Sequence, residues 1–161
     1  MPRPATTADA AAIAAIYNHY VLNTIVTFEE EAVSVDDMTQ RVADTLEAGL
    51  PWLVVEEGSV IRGFAYASKW KSRCAYRYSL EATVYLDRTA TGCGLGTRLY
   101  STLIARIKPT GMHGLIGGVA LPNAASVALH EKLGFVKVAH FKEVGRKFDQ
   151  WIDVGYWELL L

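Results

Sequence analysis

The 161-residue chain is long enough for one domain with a buried core, and its 51% hydrophobic and 20% charged content is typical of globular proteins. Its formal net charge of -1 gives no electrostatic reason to expect nucleic acid or an acidic membrane as a partner. No apolar run reaches the roughly 20 residues of a membrane span. Cys74 and Cys93 lack the spacing of a zinc site, so no metal is predicted. The N-terminus has no apolar signal-peptide core, which favours the reducing cytoplasm.

The first half of the chain predicts a short strand, two helices and a hairpin. Residues 3–6 form the short strand, and apolar side chains recur at helical spacing over residues 10–22. A second helix is predicted over residues 34–48, where Ser34 is a typical N-terminal cap. Apolar, β-branched residues 52–56 and 60–67 flank a Gly-Ser turn and predict two paired strands.

The second half alternates strands and helices. Its predicted elements are strand 78–86, helix 96–107, strand 115–121, a helix from Pro122-Asn123 to Leu133, and strands 135–141 and 151–161. A charged, glycine-containing loop joins the last two strands. The order β-α-α-β-β-β-α-β-α-β-β predicts a mixed α/β sheet with helices on both faces. The chain shows no linker, so residues 1–161 are expected to form one domain.

Residues 80–100 combine an apolar strand, a glycine-containing turn and the start of a helix. Gly92, Gly94 and Gly96 stand at every second position where that helix should begin. The first N–H groups of a helix have no intrahelical partner and carry partial positive charge. Glycine lets a ligand approach the backbone closely. The stretch therefore predicts a phosphate-binding site.

Residues 91–96, TGCGLG, and residues 123–126, NAAS, followed by a helix ending in Leu-Gly-Phe, together carry a family resemblance. They resemble the Gln/Arg-x-x-Gly-x-Gly/Ala and Asn-x-x-Ala/Ser motifs of the GNAT superfamily of acetyl-CoA-dependent N-acetyltransferases. The resemblance implies an α/β (α+β) GNAT fold, with a mixed, mostly antiparallel central sheet flanked by helices. It also implies acetyl-CoA as co-substrate, with no metal.

A narrower resemblance covers nearly the whole chain. WKSRCAY at 70–76, LEATVYL at 80–86 and LPNAASVALHEKLGF at 121–135 are similar to the phosphinothricin N-acetyltransferase subfamily, whose close relatives acetylate methionine sulfoximine and methionine sulfone. The resemblance implies acetylation of the α-amino group of such a small amino-acid analogue by direct attack in a ternary complex. It implies detoxification of antibiotics or herbicides and a homodimer, with which the apolar C-terminal strand is consistent.

Glu81 and His130 are the candidate catalytic residues. A protonated amine needs a base before it can attack a thioester, and strand alternation puts Glu81, Thr83 and Tyr85 on one face. The alternative for Glu81 is a solvent-facing strand residue. The resemblance puts His130 where many GNAT enzymes have a tyrosine as suggested general acid. A helical histidine that only packs is the alternative.

The loop KWKSRCAYR at 69–77 is the candidate for binding the anionic part of a substrate. Arginine offers two parallel donors to a carboxylate or phosphinate. The alternative is a solvated basic turn. The resemblance implies that Lys71, Arg73 and Tyr76 contact the substrate and that Phe28 forms an apolar wall of the same pocket. Thr83 is a further candidate, whose hydroxyl can hydrogen-bond the polar end of the ligand.

The resemblance also implies a set of cofactor-binding residues. The backbone of one strand would pair with the pantetheine amides, the glycine turn would hold the pyrophosphate, and the helix after Asn123 would contact the pantetheine. These residues are Val84, Tyr85, Leu86, Gly92, Cys93, Gly94, Leu95, Gly96, Thr97, Asn123 and Ser126. Thr91 and Gly92 stand where the superfamily often has basic residues, so weaker phosphate binding, aided by Arg98 or Arg88, is expected.

The sequence leaves two other functions open. One is a GNAT enzyme for a different amine, such as a protein N-terminus, a lysine side chain or a polyamine. The other is a non-catalytic sensor of acetyl-CoA or an amino acid on the same fold. A polyamine would favour an acidic pocket, whereas the predicted substrate loop is basic.

Overall fold

The computed structural model describes all 161 residues, and its elements follow the predicted order. The four helices are α1 (Ala10–Asn23), α2 (Val35–Glu47), α3 (Leu95–Ile107) and α4 (Ala124–Lys132). The seven strands are β1 (Arg3–Pro4), β2 (Trp52–Glu57), β3 (Val60–Lys69), β4 (Ser79–Leu86), β5 (Gly114–Leu121), β6 (Val136–Lys147) and β7 (Gln150–Leu160). None of the helices combines the length and hydropathy that crossing a bilayer requires.

All seven strands form one sheet in the order β1-β2-β3-β4-β5-β7-β6. Every neighbouring pair is antiparallel except β4 and β5, which are parallel. The chain reaches β5 through α3, because a parallel pair needs a crossover connection. The predicted mixed, mostly antiparallel sheet is confirmed.

The sheet separates two buried cores, since successive side chains of a strand point to opposite faces. On one face α3 buries Leu103 against Leu80 and Ala82 of β4. On the other face α1 and α2 form a second core that includes Ile13 and Phe64. Because the even-numbered residues of β4 face α3, its odd-numbered residues face α1.

The strand β6 is longer than the sequence predicts, whereas β7 lies within one residue of its predicted bounds. β6 continues past Phe141 to Lys147, and a two-residue turn of Phe148 and Asp149 replaces the expected charged loop. Both turn residues have positive φ angles, of 51° and 58°, although neither is glycine. Glu143, at φ 49°, lies where the pairing register of β6 shifts, and such a bulge interrupts the alternation that marks a strand.

β4 loses its parallel partner partway along its length. Pairing with β5 covers only the first three residues of β4 and ends at Glu81, whereas pairing with β3 continues to Leu86. The Asp87 N–H donates to the Arg62 carbonyl of β3. Alternate residues of a strand turn their backbone groups to opposite neighbours, so those of Val84 point away from β3. The free edge of β4 therefore faces a gap between β4 and β5.

Candidate active site

A cavity of about 460 Å³, which we call the Glu81 cavity, opens on the α1 side of β4. Glu81, Thr83 and Tyr85 all line it, so the predicted shared face is confirmed. Phe28 lines it as well, from the loop between α1 and α2. Its volume falls in the roughly 300–1,000 Å³ range of small-molecule sites.

The Glu81 carboxyl group is held in a partly desolvated setting. Burial raises the pKa of Glu81, and the nearby Lys71 charge opposes part of that rise. A raised pKa makes a carboxylate a stronger base, while Lys71 keeps it ionised over a wider pH range. The group is therefore suited to accepting a proton from a bound ammonium.

Contacts distant in sequence fix the wall that carries Phe28. The buried Lys147 ammonium donates to the Thr27 carbonyl at 2.8 Å, and the Tyr17 and Thr27 hydroxyls are also 2.8 Å apart. The Phe28 ring lies directly on Gly145, where a Cβ atom would overlap it. Lys147 and Gly145 are thus positioning residues that sequence reasoning missed, because only the fold brings β6 to this loop.

The basic loop is only partly near the cavity. The Lys71 ammonium lies 4.7 Å from the centre of the Trp70 ring, which packs edge-on against Tyr156, a residue of the cavity wall. Arg73 and Tyr76 are exposed at the two ends of a short 3-10 turn and do not line the cavity. The predicted substrate loop therefore brings Lys71 within electrostatic reach of Glu81 and leaves Arg73 and Tyr76 in solvent.

A second cavity of about 540 Å³, which we call the glycine-turn cleft, runs along the free edge of β4. Most of the predicted cofactor-binding residues line it, namely Val84, Tyr85, Leu86, Gly92, Gly94, Gly96, Thr97, Asn123 and Ser126. Cys93 and Leu95 do not line it, since Cys93 is exposed and Leu95 is buried in the core. Val26 and Tyr85 line both cavities, so the two meet along β4.

The ends of two helices shape this cleft. Gly92 and Gly94 adopt positive φ angles of 78° and 76°, and Gly94 is the N-terminal cap of α3. Residues with a side chain rarely adopt this conformation, which explains the glycines of the turn. Asn123 caps α4, where its side-chain oxygen accepts the Ser126 N–H at 3.1 Å. The capping role of Asn123 and a ligand contact are compatible.

Comparisons with known proteins agree with this arrangement. The model of the acetyltransferase (GNAT) domain family matches residues 3–155. The chain belongs to the GNAT acetyltransferase family. It is 38% identical over 159 residues to the L-methionine sulfoximine/L-methionine sulfone acetyltransferase of Salmonella typhimurium, covering 99% of this chain and 93% of that protein.

Two solved structures share the fold closely. A GNAT superfamily phosphinothricin acetyltransferase from Sinorhizobium meliloti, in complex with acetyl-CoA, is 34% identical with a TM-score of 0.96, covering 100% of this chain and 88% of that chain. A ribosomal-protein-alanine N-acetyltransferase from Brucella melitensis is 35% identical with a TM-score of 0.98, covering 100% of this chain and 99% of that chain. The GNAT fold and the acetyltransferase class predicted from the sequence are confirmed.

His130 of this GNAT enzyme is buried and lines neither cavity. Its Nδ1–H donates to the Ser126 carbonyl at 2.7 Å, and its Nε2 lies 3.1 Å from the Tyr100 hydroxyl. Burial lowers the pKa of His130, which favours the neutral imidazole. Proton transfer by His130 stays a prediction from the resemblance, without a contact to either cavity.

Among the residues of the glycine-turn cleft that were not predicted from the sequence, Lys132 and Tyr20 offer polar groups. Lys132, at the end of α4, brings a positive charge to a turn that lacks one. Tyr20 of α1 lines the cleft and donates from its hydroxyl to the Leu86 carbonyl at 2.6 Å. Lys132 lies half a helical turn after His130, on a different face of α4. The sequence does not indicate which face of α4 lines the cleft, so it could not predict Lys132.

Proposed function

We propose that this GNAT enzyme is an acetyl-CoA-dependent N-acetyltransferase that acts on the α-amino group of phosphinothricin, methionine sulfoximine, methionine sulfone or a similar amino-acid analogue. The observation that carries the proposal is the meeting of two cavities along β4. One holds the partly desolvated Glu81 carboxylate, and the other follows a free backbone edge to a glycine turn. An amine and a thioester placed in the two cavities would meet beside Glu81.

On the amine side, Glu81 acts as the general base. It takes a proton from the bound ammonium, so that the amine nitrogen carries a free electron pair for attack. Thr83 offers a hydroxyl to the substrate and Phe28 an apolar wall. Lys71 supplies positive charge for a carboxylate or phosphinate. Arg73 and Tyr76 belong to this proposed set through the resemblance alone.

On the acetyl-CoA side, the glycine-turn cleft offers groups that fit each part of the molecule. The backbone of Val84, on the free edge of β4, suits the pantetheine amides, as an added strand would. The free N–H groups at the start of α3, beyond Gly94, and the charge of Lys132 suit the phosphates. Bound there, acetyl-CoA supplies the thioester carbonyl that the amine attacks.

Replacing Lys132 with Met is expected to raise the Kd for acetyl-CoA about tenfold at low ionic strength, because one charge-assisted contact to phosphate is lost. The difference from wild type should shrink as salt is added. Isothermal titration calorimetry measures both effects. Lys108→Met, which removes an exposed lysine just after α3, is the matched control. Equal affinities for the wild type and Lys132→Met at low salt would contradict the assignment.

Replacing Gly145 with Ala is expected to raise the KM for the amine about tenfold, since an aromatic wall contributes roughly 1.5 kcal/mol or more of contact. The new Cβ atom overlaps the Phe28 ring, which is 43% exposed and can swing outward. The KM for acetyl-CoA should not change. In a Phe28→Ala background the same substitution should add little. A full tenfold effect in that background would show that Gly145 acts through another group.

A thiol-release assay with a panel of amines tests the proposed substrate class. The panel contains phosphinothricin, methionine sulfoximine, methionine sulfone, glutamate, a lysine peptide and a peptide with N-terminal alanine. We expect turnover with the amino-acid analogues. The name of the Brucella melitensis neighbour favours the N-terminal peptide as a second candidate. Turnover with a peptide alone would overturn the proposed substrate class, and acetyl-CoA binding without any turnover would favour a sensor.

We further propose one N-acetyltransferase domain over residues 1–161, located in the cytoplasm. The single sheet that includes both β1 and β7 supports one domain. Cys74 and Cys93 are exposed free thiols, which persist in a reducing compartment.

A homodimer is also proposed, formed through β6. This strand lies at the edge of the sheet, and it exposes four large apolar side chains by 52–66%, namely Val136, Val138, Phe141 and Val144. An unpaired apolar edge strand is rare on a monomer. Light scattering after size exclusion should give twice the chain mass for the wild type and a single chain mass for Val138→Lys. Val60→Lys, at an exposed position on β3, is the control. A wild-type monomer at every concentration would contradict the dimer.

A further inference from the structure

Two buried side chains stand where the β4–β5 ladder stops. The last parallel pair is Glu81 with Ile116, so the next pair of a regular ladder would be Ala82 with Gly117. That pair does not form. Instead the Tyr100 hydroxyl donates to the Ala82 carbonyl at 3.2 Å, and takes the place of a donor from β5. The carbonyl that loses its strand partner thus keeps a hydrogen bond inside the core.

The other side of the gap is closed by His130. A Cβ atom at Gly117 would collide with its imidazole ring, so only glycine leaves room for the histidine against the β5 backbone. The Tyr100 hydroxyl and His130 Nε2 are 3.1 Å apart, and their rings meet edge to face with centres 5.2 Å apart. The contacts thus run from Ala82 of β4 through Tyr100 and His130 to Gly117 of β5, at the point where the two strands stop pairing.

Burial and further contacts hold Tyr100 and His130 in place. Tyr100 is fully buried and His130 is 4% exposed. The His130 Nδ1–H donates to the Ser126 carbonyl at 2.7 Å within α4, and Tyr100 stacks on Phe135 with ring centres 5.4 Å apart. The Tyr100–Ala82 hydrogen bond and the packing of the two rings against each other therefore connect β4, α3 and α4, the three elements that also carry the walls of the glycine-turn cleft.

We propose that Tyr100 and His130 form a wedge, the Tyr100–His130 wedge, which ends the β4–β5 ladder after Glu81 and so keeps the Val84 edge free for acetyl-CoA. Both are positioning residues in this account, and His130 transfers no proton. Without the wedge, the Ala82 carbonyl would accept a hydrogen bond from an N–H group of β5. The β4–β5 ladder would then extend and narrow the cleft. The inference rests on the proposed function, because it assigns the cleft to acetyl-CoA.

Tyr100→Phe tests the wedge, since it removes the bridging hydroxyl and keeps the ring. We expect the Kd for acetyl-CoA, measured by calorimetry, to rise about tenfold for the loss of one buried hydrogen-bonding group. The KM for acetyl-CoA should rise in parallel, with kcat at saturating acetyl-CoA and the pH profile unchanged. His130→Gln should raise the Kd for acetyl-CoA in the same way. Gly117→Ala should raise it too, because the new Cβ atom displaces the imidazole from the β5 side.

Tyr78→Phe is the matched control, because it removes an exposed tyrosine hydroxyl and should leave the Kd unchanged. Thermal melts identify any variant that fails to fold, and the folded variants test whether the wedge affects acetyl-CoA binding. An unchanged Kd in folded Tyr100→Phe and His130→Gln would overturn the wedge. A fall in kcat with an unchanged Kd would overturn it as well, in favour of proton transfer. A wild type that binds no acetyl-CoA would instead overturn the proposed function.

Discussion

Glu81→Gln is expected to lower kcat with the amino-acid substrate by about 10²–10⁴-fold, the contribution typical of a positioned general base. Glutamine keeps the size of the side chain but cannot take a proton from the bound ammonium. Acetyl-CoA should bind as in the wild type, because Glu81 lines the Glu81 cavity and not the glycine-turn cleft. Steady-state kinetics and calorimetry on the same preparation separate the two effects.

The pH dependence of the rate gives a second test of Glu81 as the base. In the wild type the rate should fall as the pH drops through the pKa of Glu81, which burial raises above its usual value. The protonated carboxyl group cannot accept a further proton, so activity is lost on the acid side. Glu81→Gln should lack this acid limb of the pH–rate profile, that is, the fall in rate at low pH. Glu47→Gln, at an exposed helix end, should keep both the limb and full activity. A Glu81→Gln enzyme with wild-type kcat would remove Glu81 from catalysis.

Leu103→Ala is expected to lower the free energy of unfolding by about 2–5 kcal/mol, the range for a large buried aliphatic side chain. Leu103 is fully buried between α3 and the sheet. The residual cavity would lie under the helix that begins at the glycine turn. At roughly 2–4 °C per kcal/mol for a chain of this size, Tm should fall by about 4–20 °C. Denaturant unfolding and calorimetry measure both quantities.

Arg106→Ala is the control for this substitution. Arg106 lies on the exposed face of the same helix, where a truncation changes stability by about 0.5 kcal/mol or less. Leu103→Ala below its melting temperature should keep its catalytic constants, since Leu103 lines neither cavity. Equal stability losses in the two variants would contradict the packing of α3 against the sheet.

Local patterns predicted the parts of the fold that depend on neighbouring residues. Helical spacing and the caps Ser34 and Asn123 predicted where α2 and α4 lie, and alternation predicted that Glu81 and Thr83 share a face. Each of these signals acts within a few residues. The second half of β6 was not predicted, because the bulge at Glu143 interrupts the alternation from which a strand is predicted.

The contacts that assemble the site are less visible in the sequence. Lys147 holds the Phe28 loop across 120 residues, and Lys132 reaches the glycine-turn cleft only because of the way α4 packs on the sheet. His130 is a different case, since the resemblance predicts a catalytic role whereas the structure buries its side chain outside both cavities. Tertiary packing determines where all three side chains lie, and no local sequence pattern records it.

Initial-rate kinetics with both substrates varied test direct attack in a ternary complex. Acetyl-CoA and methionine sulfoximine are each varied at several fixed concentrations of the other, with thiol release as the signal. Direct attack in a ternary complex predicts turnover with intersecting double-reciprocal lines and an acetylated α-amino group in the product. Parallel lines would indicate a covalent acetyl-enzyme. Parallel lines, or no turnover with an enzyme that binds acetyl-CoA, would contradict direct acetyl transfer to the amine.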